Sequence, residues 1–177
     1  MLGLKRGMVQ LEEHKSKWNI IAEDTINILW GILGDIAIDI QHIGSTAIGN
    51  IHAKPIIDIV VGIKELNDIK PYIDLLEKSQ IIFRKEDIKE QLLFVIGDFN
   101  QNTRTHHIHV VKWNDNSWNN YINFRDYLNA FPQKAIEYDL LKLRLAKQYA
   151  SNRILYTSGK QELIDKLLIE AKEWRKK

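Results

Sequence analysis

A glycine–serine turn followed by a lone carboxylate is the first feature of the sequence that could bind a ligand or take part in a reaction. The run His42-Ile43-Gly44-Ser45-Thr46 joins a glycine, which allows close backbone approach, to two hydroxyl side chains. Backbone N–H groups and hydroxyls in such a turn can bind phosphate. Asp58 follows within an apolar run, where a carboxylate is costly unless it is paired or bound to a metal. The alternatives are an ordinary turn and a structural aspartate that accepts backbone N–H bonds.

A histidine-rich segment is the second candidate. Residues 104–111 read Arg-Thr-His-His-Ile-His-Val-Val. On a strand, residues two apart share a face, so His107 and His109 project together and His106 projects the other way. With Asp58 on a neighbouring strand they would offer a metal two nitrogens and one carboxylate, a set that suits manganese, zinc or iron better than magnesium. One histidine could instead act as a general base, or the pair could be hydrogen-bonding surface.

Several cationic and aromatic side chains could assist a phosphate site. These candidates are Lys54, Arg104, Arg125, Tyr138 and Lys142. Tyr138 and Lys142 are four apart and would share one helix face, where they could bind a phosphate or a base. The competing interpretation is a solvated helix face with supporting charge pairs, and Lys54 is equally compatible with a surface position beside Pro55.

Hydrophobic periodicity predicts the elements that would position these residues. Apolar residues three and four apart predict a helix over residues 18–33, ended by Gly34 in the left-handed conformation. The near-continuous apolar run at 54–63 predicts a strand buried on both faces. Other strands are expected at 36–43, 81–84, 91–97 and 105–113, and other helices at about 68–79, 117–130, 133–149 and 158–176. Ser158 and Gln161 form a capping-box pattern at the start of the last helix.

This order of elements predicts an α+β fold, a mixed β-sheet flanked by helices with a C-terminal helical segment. The length of 177 residues suits one domain. We expect a single domain over 1–177, with a sheet-containing core at about 1–115 and a helical part at about 116–177.

Composition narrows the class of partner. The net charge of +2 disfavours nucleic acid as the main ligand, since phosphate-backbone binding usually needs a larger basic excess. The absence of cysteine excludes disulfides and thiolate metal sites. Residues 1–7 lack the apolar core of a signal peptide, and no apolar run approaches the roughly 18 residues of a membrane span. We therefore expect a cytoplasmic protein without a membrane partner, of undetermined oligomeric state.

Several ordered segments resemble the GrpB family. They are residues 9–11 with Trp18, 42–48, 53–59, 104–110, 124–128, and Glu137-Tyr138 with Leu141-Lys142. The resemblance runs from about Val9 to Trp174. It implies the nucleotidyltransferase fold, shared with DNA polymerase beta and antibiotic nucleotidyltransferases, and a nucleoside-triphosphate site near Gly44, Ser45 and Thr46.

The resemblance also implies a metal site, with one departure. In the superfamily, two carboxylates two residues apart on a strand hold magnesium ions for phosphoryl chemistry. Asp58 occupies the first position, but Val60 occupies the second and cannot ligate a metal. This departure moves attention to His107 and His109 as the remaining ligands.

The leading hypothesis is an enzyme that uses a divalent metal (magnesium, manganese or zinc) to transfer a nucleotidyl or phosphoryl group. Gly44, Ser45, Thr46, Lys54, Arg104, Arg125, Tyr138 and Lys142 would bind the nucleotide, and Asp58, His107 and His109 would bind the metal or act in catalysis. The sequence does not identify the acceptor. One alternative is a non-catalytic nucleotide-binding module with a degenerate site. Another is a metal-dependent hydrolase with His42 or His106 as a further ligand.

Overall fold

A mixed β-sheet organises the chain, as the sequence predicted. The computed structural model describes residues 2–84 and 90–176. The strands are β1 (Leu4–Lys5), β2 (Ala37–Ile43), β3 (Ile57–Ile63), β4 (Ile82–Arg84), β5 (Gln91–Ile96), β6 (Thr103–Arg104) and β7 (His106–Lys112). The α-helices are α1 (Lys17–Leu33), α2 (Ile73–Lys78), α3 (Asn116–Ala130), α4 (Pro132–Gln148), α5 (Arg153–Ser158) and α6 (Gln161–Arg175). Short 3₁₀ helices cover Ser45–Ala47 and Leu66–Tyr72.

The main sheet has five strands in the order β2-β3-β7-β5-β4. β3 and β7 are parallel, with Asp58 opposite His107 and Val60 opposite His109, whereas the other neighbouring pairs are antiparallel. β1, which precedes α1, pairs with β6, which lies in the connection between β5 and β7, and the two form a separate two-stranded sheet. The parallel pairing brings the aspartate strand and the histidine strand into contact.

One face of the sheet packs on α1 and α2. The buried side of α1 carries Trp18, Ala22, Thr25, Leu29 and Leu33. These side chains meet alternate strand residues in the largest apolar cluster, including Ile57, Ile59, Val61, Ile108 and Val110. A fully buried aliphatic side chain contributes roughly 1.5–3 kcal/mol, so this cluster is a major source of stability.

The opposite face of the sheet is covered by α3 and the helices that follow it. Val60 packs there with Ile43, Val111 and Trp118. A further cluster joins α3, α4 and α6, with Leu167 and Ala171 fully buried. This face is only partly covered, which leaves Asp58, His107 and His109 accessible near its edge.

Several local expectations were wrong. Gly34 is right-handed (φ −53°), so the end of α1 does not use the left-handed cap. The helix expected at about 68–79 is present, but its first part is a 3₁₀ helix over Leu66–Tyr72 that leads into the short α2. Residues 151–157, expected as a connection, contain most of α5. Ser158 closes that helix, and α6 begins at Gln161 without a side-chain cap, so the predicted capping box does not form.

Candidate functional site

Gly44 brings the turn after β2 against Asp58. The residue has φ +72°, a conformation that favours glycine. A Cβ placed on Gly44 would lie 2.6 Å from Oδ2 of Asp58, so any larger residue would collide with the carboxylate. Glycine is therefore required for backbone conformation and for close approach, and the turn and the carboxylate form one site.

A cavity of about 170 Å³ opens beside this turn. Its lining joins the turn to lysines and aromatic rings from distant parts of the chain: Gly44, Ser45, Thr46, Lys54, Ile56, Asp58, Phe124, Tyr138, Lys142, Tyr156 and Lys160. We call it the lysine cavity. It contains three ammonium groups, two hydroxyl residues of the turn and one carboxylate, which is the composition of a site for a polyanion.

Burial changes the protonation behaviour of all three lysines. It lowers the pKa of Lys160 to about 7, with the nearby charges of Lys54 and Lys142 lowering it further. Burial lowers the pKa of Lys142 to about 8, against the opposing effect of Asp139. The pKa of Lys54 is also lowered, by burial and then by Arg153. A bound anion would relieve this desolvation and mutual repulsion.

Lys142 is the most firmly held of the three. It is 1% exposed, and its ammonium group donates to the carbonyl of His52 and pairs with Asp139 Oδ1 at 3.4 Å. Its Nζ also lies 3.4 Å from Ser45 Oγ and 4.9 Å from the centroid of the Tyr138 ring. Asp139 in turn accepts from the backbone N–H of His52 at 2.8 Å. These contacts fix one cation at the serine of the turn.

Asp58 pairs with two of the three histidines of β7, His107 and His109. Its Oδ1 lies 3.1 Å from His107 Nδ1 and 4.0 Å from His109 Nε2. Burial alone would raise the pKa of Asp58, but the contacts with His107 and His109 outweigh it and hold the pKa below its ordinary value. The carboxylate is therefore ionised and can only accept a hydrogen bond. Nδ1 of His107 must then be protonated, and it donates to Oδ1 of Asp58.

His109 is linked to α3 through Tyr121. The tyrosine hydroxyl donates to Gln91 Oε1 at 2.9 Å and lies 3.3 Å from His109 Nδ1. Burial raises the pKa of Tyr121 to about 12, so it remains a neutral phenol at physiological pH. The contact orients the His109 ring so that its other nitrogen faces Asp58.

The two-magnesium arrangement of the nucleotidyltransferase superfamily does not fit this strand. Val60, at the second carboxylate position, is 0% exposed in an apolar cluster with Trp118. Among residues 2–84 and 90–176, no group of three or more His, Asp or Glu side chains is arranged to hold a metal ion. Asp58 pairs with His107 and His109 through Oδ1, and its other carboxylate oxygen, Oδ2, is directed to the Gly44 turn.

The other candidate residues divide between the cavity and the surrounding structure. Lys54, Tyr138 and Lys142 line the lysine cavity, as do the three residues of the turn. Arg125 does not line it, because its guanidinium donates to Gln41 Oε1 at 2.8 Å and to the His42 carbonyl at 2.9 Å. Arg104 lies in a different cavity, with its guanidinium over the ring of Phe99.

His42 and His106 project from the α1 face of the sheet, away from Asp58. His106 contacts Thr25 Oγ1 at 3.2 Å, and His42 contacts Thr46 Oγ1 at 2.9 Å. Burial lowers the pKa of each to about 4, so both are neutral. The structure therefore does not bring either one to His107 and His109 as the further ligand that the hydrolase hypothesis needs.

Three residues of the site escaped sequence reasoning. Tyr156 reaches the lysine cavity from α5, where the sequence predicted a connection, and Lys160 reaches it from the connection to α6, where the sequence predicted a helix. Tyr121 is one of two tyrosines in α3, and its spacing among the asparagines of that helix gives no recognisable pattern. A single usable signal existed: Gly159-Lys160 resembles the glycine–lysine pairs of phosphate sites, but it is too common to stand alone.

Comparison with solved structures finds the same fold in two other proteins. The chain is similar to the Cid1 poly(U) polymerase in its MgGTP-bound crystal structure, with TM-score 0.53 and 15% identity. That match covers 76% of this chain and 44% of Cid1, and it supports the fold alone. A much nearer match is the conserved protein GrpB from Enterococcus faecalis, with TM-score 0.85, 28% identity, and coverage of 93% of this chain and 99% of that one.

Sequence comparison gives the family. The model of the family described as GrpB protein matches residues 8–170. The glutamate-rich protein GrpB of Alkalihalophilus pseudofirmus is 38% identical over 96% of this chain and 99% of its own length. The protein YqkA of Bacillus subtilis, a UPF0157 protein, is 32% identical over 95% of this chain and 48% of its own. The chain belongs to the GrpB family, which confirms the resemblance seen in the sequence.

Proposed function

We propose that this protein binds a nucleoside triphosphate in the lysine cavity and transfers its nucleotidyl or phosphoryl group to an acceptor. The observation that carries the proposal is the convergence of Lys54, Lys142 and Lys160 with the Gly44 turn in one small cavity. Three partly desolvated ammonium groups repel one another, and a polyphosphate is the ligand that best relieves that repulsion.

The size of the cavity suggests which part of the nucleotide it takes. Pockets that enclose a whole drug-sized ligand begin at roughly 300 Å³. The lysine cavity has about 170 Å³ and would hold the phosphate chain, with the nucleoside at its mouth near Phe124. The Ser45 hydroxyl and Lys142 would contact phosphate oxygens together, since they already lie 3.4 Å apart.

Transfer would occur at the Asp58 end of the cavity. The acceptor oxygen attacks a phosphorus atom, the bond to the departing phosphate oxygen breaks, and the lysines stabilise the charge on the leaving group. His107 or His109 would take the acceptor proton as general base, with Asp58 orienting the ring through its 3.1 Å contact with His107.

Asp58 is the natural protein ligand for a single divalent ion. Magnesium and manganese are often held by one or two carboxylates together with substrate phosphates, which fits a site whose second carboxylate is lacking. Such an ion would neutralise charge on the transferred group. His107 and His109 would complete the ligand set for zinc or manganese if they released their contacts with Asp58.

Binding and turnover can be measured separately. Titration calorimetry with ATP, GTP, CTP and UTP, each with magnesium or manganese, measures binding. Lys160→Met should weaken it roughly tenfold or more, because it removes a charge-assisted contact. Lys172→Met, an exposed lysine of α6, is the matched control and should leave the affinity unchanged. Equal affinity in wild type and Lys160→Met would overturn the assignment of the cavity.

Pyrophosphate or phosphate release with a mixture of small acceptors measures turnover. Asp58→Asn keeps the size of the side chain but removes its charge, and it should reduce release by about 100-fold or more. Asp39→Asn, on the adjacent strand β2, is the matched control. Wild-type release that Asp58→Asn leaves intact would show that the reaction does not occur at this site.

A second candidate function is nucleotide binding without catalysis. The buried Val60 favours it, because the strand lacks the second carboxylate that the superfamily uses. This alternative predicts triphosphate binding that depends on Lys160 together with no pyrophosphate or phosphate release with either metal. The two measurements above therefore distinguish an enzyme from a binding module.

A further inference from the structure

A second cavity adjoins His107 on the side of β5. It has a volume of about 380 Å³. The described residues that line it are Arg6, Gly7, Arg84, Leu93, Val95, Arg104, His107, Arg153 and Ile154. We call it the arginine cavity, since four of these nine residues carry a guanidinium group. The guanidiniums come from the turn after β1, the end of β4, β6 and the start of α5.

His107 places the arginine cavity next to the proposed transfer site. The same residue lines this cavity and bonds Asp58, which lines the lysine cavity. Leu93 and Val95 of β5 form its apolar floor on the same sheet face, since Val95 is opposite His107 and Leu93 is opposite His109. Arg153 of this cavity also lowers the pKa of Lys54, which lines the other. The two cavities therefore meet at the Asp58–His107 pair.

We infer that the arginine cavity binds the acceptor, and that the acceptor is a small molecule carrying a phosphate group and a hydroxyl. This inference rests on the proposed function, because it assigns a substrate class to the same reaction. Guanidinium groups recognise phosphate with paired N–H donors, and Arg104 is held in place by its contacts with Phe99 and with the Thr103 carbonyl at 2.7 Å.

Donor geometry favours a phosphate over a carboxylate. Arg6, Arg84 and Arg104 also have other interactions within the chain. Each guanidinium carries several N–H donors, and donors from four segments around one cavity suit the three terminal oxygens of a phosphate monoester better than the two of a carboxylate. The volume suits a small molecule, and the apolar floor of Leu93 and Val95 would accept its carbon skeleton.

The reaction with such an acceptor balances without another reactant. The acceptor hydroxyl oxygen forms a bond to the α-phosphorus of the nucleotide, and the bond between that phosphorus and the β-phosphate oxygen breaks. Pyrophosphate leaves with the bonding electron pair, and the hydroxyl proton passes to the imidazole base. The phosphate of the acceptor is unchanged, and it serves only to hold the hydroxyl beside Asp58.

The test measures acceptor binding apart from nucleotide binding. The wild-type protein, saturated with a non-hydrolysable α,β-methylene ATP, is titrated with glycerol 3-phosphate by calorimetry. The variant pair Arg6→Gln/Arg153→Gln removes two partly exposed cavity arginines, and Arg144→Gln on α4 is the matched control. Circular dichroism and thermal unfolding check that each variant is folded.

We expect saturable, one-to-one binding that weakens at least tenfold in the double variant. The control variant Arg144→Gln should bind as wild type does. Lys172→Met, which changes an exposed lysine outside both cavities, should also bind glycerol 3-phosphate as wild type does.

Three results would overturn the inference. They are the absence of glycerol 3-phosphate binding to a protein that binds the nucleotide analogue, equal affinity in the double variant, and tighter binding of malate or of a short oligoribonucleotide. Failure of the proposed function has a different signature, since the analogue itself would then not bind. An oligoribonucleotide that binds more tightly would identify a nucleic-acid acceptor.

Discussion

The two faces of the sheet use the same kind of residue for different purposes. His106 and His107 are consecutive, yet His106 is buried against Thr25 of α1, whereas His107 pairs with Asp58 on the opposite face. Burial lowers the pKa of His106 to about 4 and keeps it neutral, as a core hydrogen-bonding residue. His107 is only partly covered and lies between two cavities. The alternation of a strand, and not the residue type, separates the buried His106 from His107, which faces the two cavities.

The same division applies to charge. The α1 face is an apolar cluster in which buried polar groups pair with hydroxyls, as His106 does with Thr25. The opposite face gathers the lysines, the arginines and Asp58 around incompletely covered cavities. The α1 face therefore contributes to stability through apolar packing. On the opposite face, repulsion among like charges is unfavourable for folding, and a bound anion would reduce that repulsion.

The largest expected effect is on turnover, and it distinguishes His107 from His106. His107→Ala should reduce phosphate or pyrophosphate release by about 100-fold or more, since it removes a general base or its positioning contact, with little change in stability. His106→Ala should instead lower the free energy of unfolding by about 2 kcal/mol, because a buried ring and its hydrogen bonds are lost. Urea denaturation and turnover per folded molecule measure the two quantities.

That comparison has a clear contrary outcome. A His106→Ala protein that is fully stable but inactive would place the chemistry on both faces. A His107→Ala protein that is as active as wild type but unstable would make His107 structural. Either result would end the distinction between the faces.

The next effect tests why the second carboxylate is lacking. Val60→Asp should lower the free energy of unfolding by about 3 kcal/mol or more at pH 7, because it places an unpaired charge beside Trp118 in an apolar cluster. We expect no gain in metal affinity. Burial would raise the pKa of the new carboxyl above its ordinary range near 4, so the loss is full only above the raised pKa. The loss shrinks as the pH falls from the raised pKa toward about 4, because the native carboxyl is then protonated.

Urea denaturation at several pH values measures this effect. Val60→Thr is the control, since it is isosteric and places a neutral hydroxyl at the same position. A stable Val60→Asp protein that binds manganese more tightly than wild type would show that the site can be restored, and that packing does not exclude the second carboxylate.

Sequence reasoning recovered the sheet because its signals are local. The apolar run around Asp58 and the alternation before His42 predict β3 and β2, and alternation on β7 places His107 and His109 on one face. The turn was recognisable because Gly44 must adopt a positive φ beside Asp58. Each of these features depends on spacing within a few residues.

The remaining part of the site depends on tertiary packing. Lys160 approaches Ser45 and Lys142 only because α5 and α6 fold back over the turn, and no local pattern records that path. Arg125 was predicted to bind phosphate, yet its helix directs it to Gln41 and to the carbonyl of His42. Helical periodicity gives a face, whereas the partner of that face is set by packing between distant segments.

The smallest expected effect is the uptake of protons by Lys160 and Lys142 of the lysine cavity when a triphosphate binds. At pH 8, Lys160, with a pKa of about 7, is mostly neutral, and Lys142, with a pKa of about 8, is half-charged. A bound triphosphate raises both values, so the complex should take up about one proton at pH 8. At pH 6 both lysines are already charged, so the number of protons that they take up on binding should approach zero. The neutral His42 and His106, with pKa values of about 4, do not contribute between pH 6 and 8.

Calorimetry with the α,β-methylene ATP analogue in Tris and in HEPES measures this uptake, because the two buffers differ in ionisation enthalpy. Lys160→Met should reduce the uptake at pH 8, and subtracting its value from that of wild type removes the contribution of the nucleotide itself. Lys172→Met should behave as wild type does. An uptake that is the same in Lys160→Met would place the phosphate chain away from Lys160. Since Lys160 reaches the site only through tertiary packing, its proton uptake tests the part of the lysine cavity that the sequence did not predict.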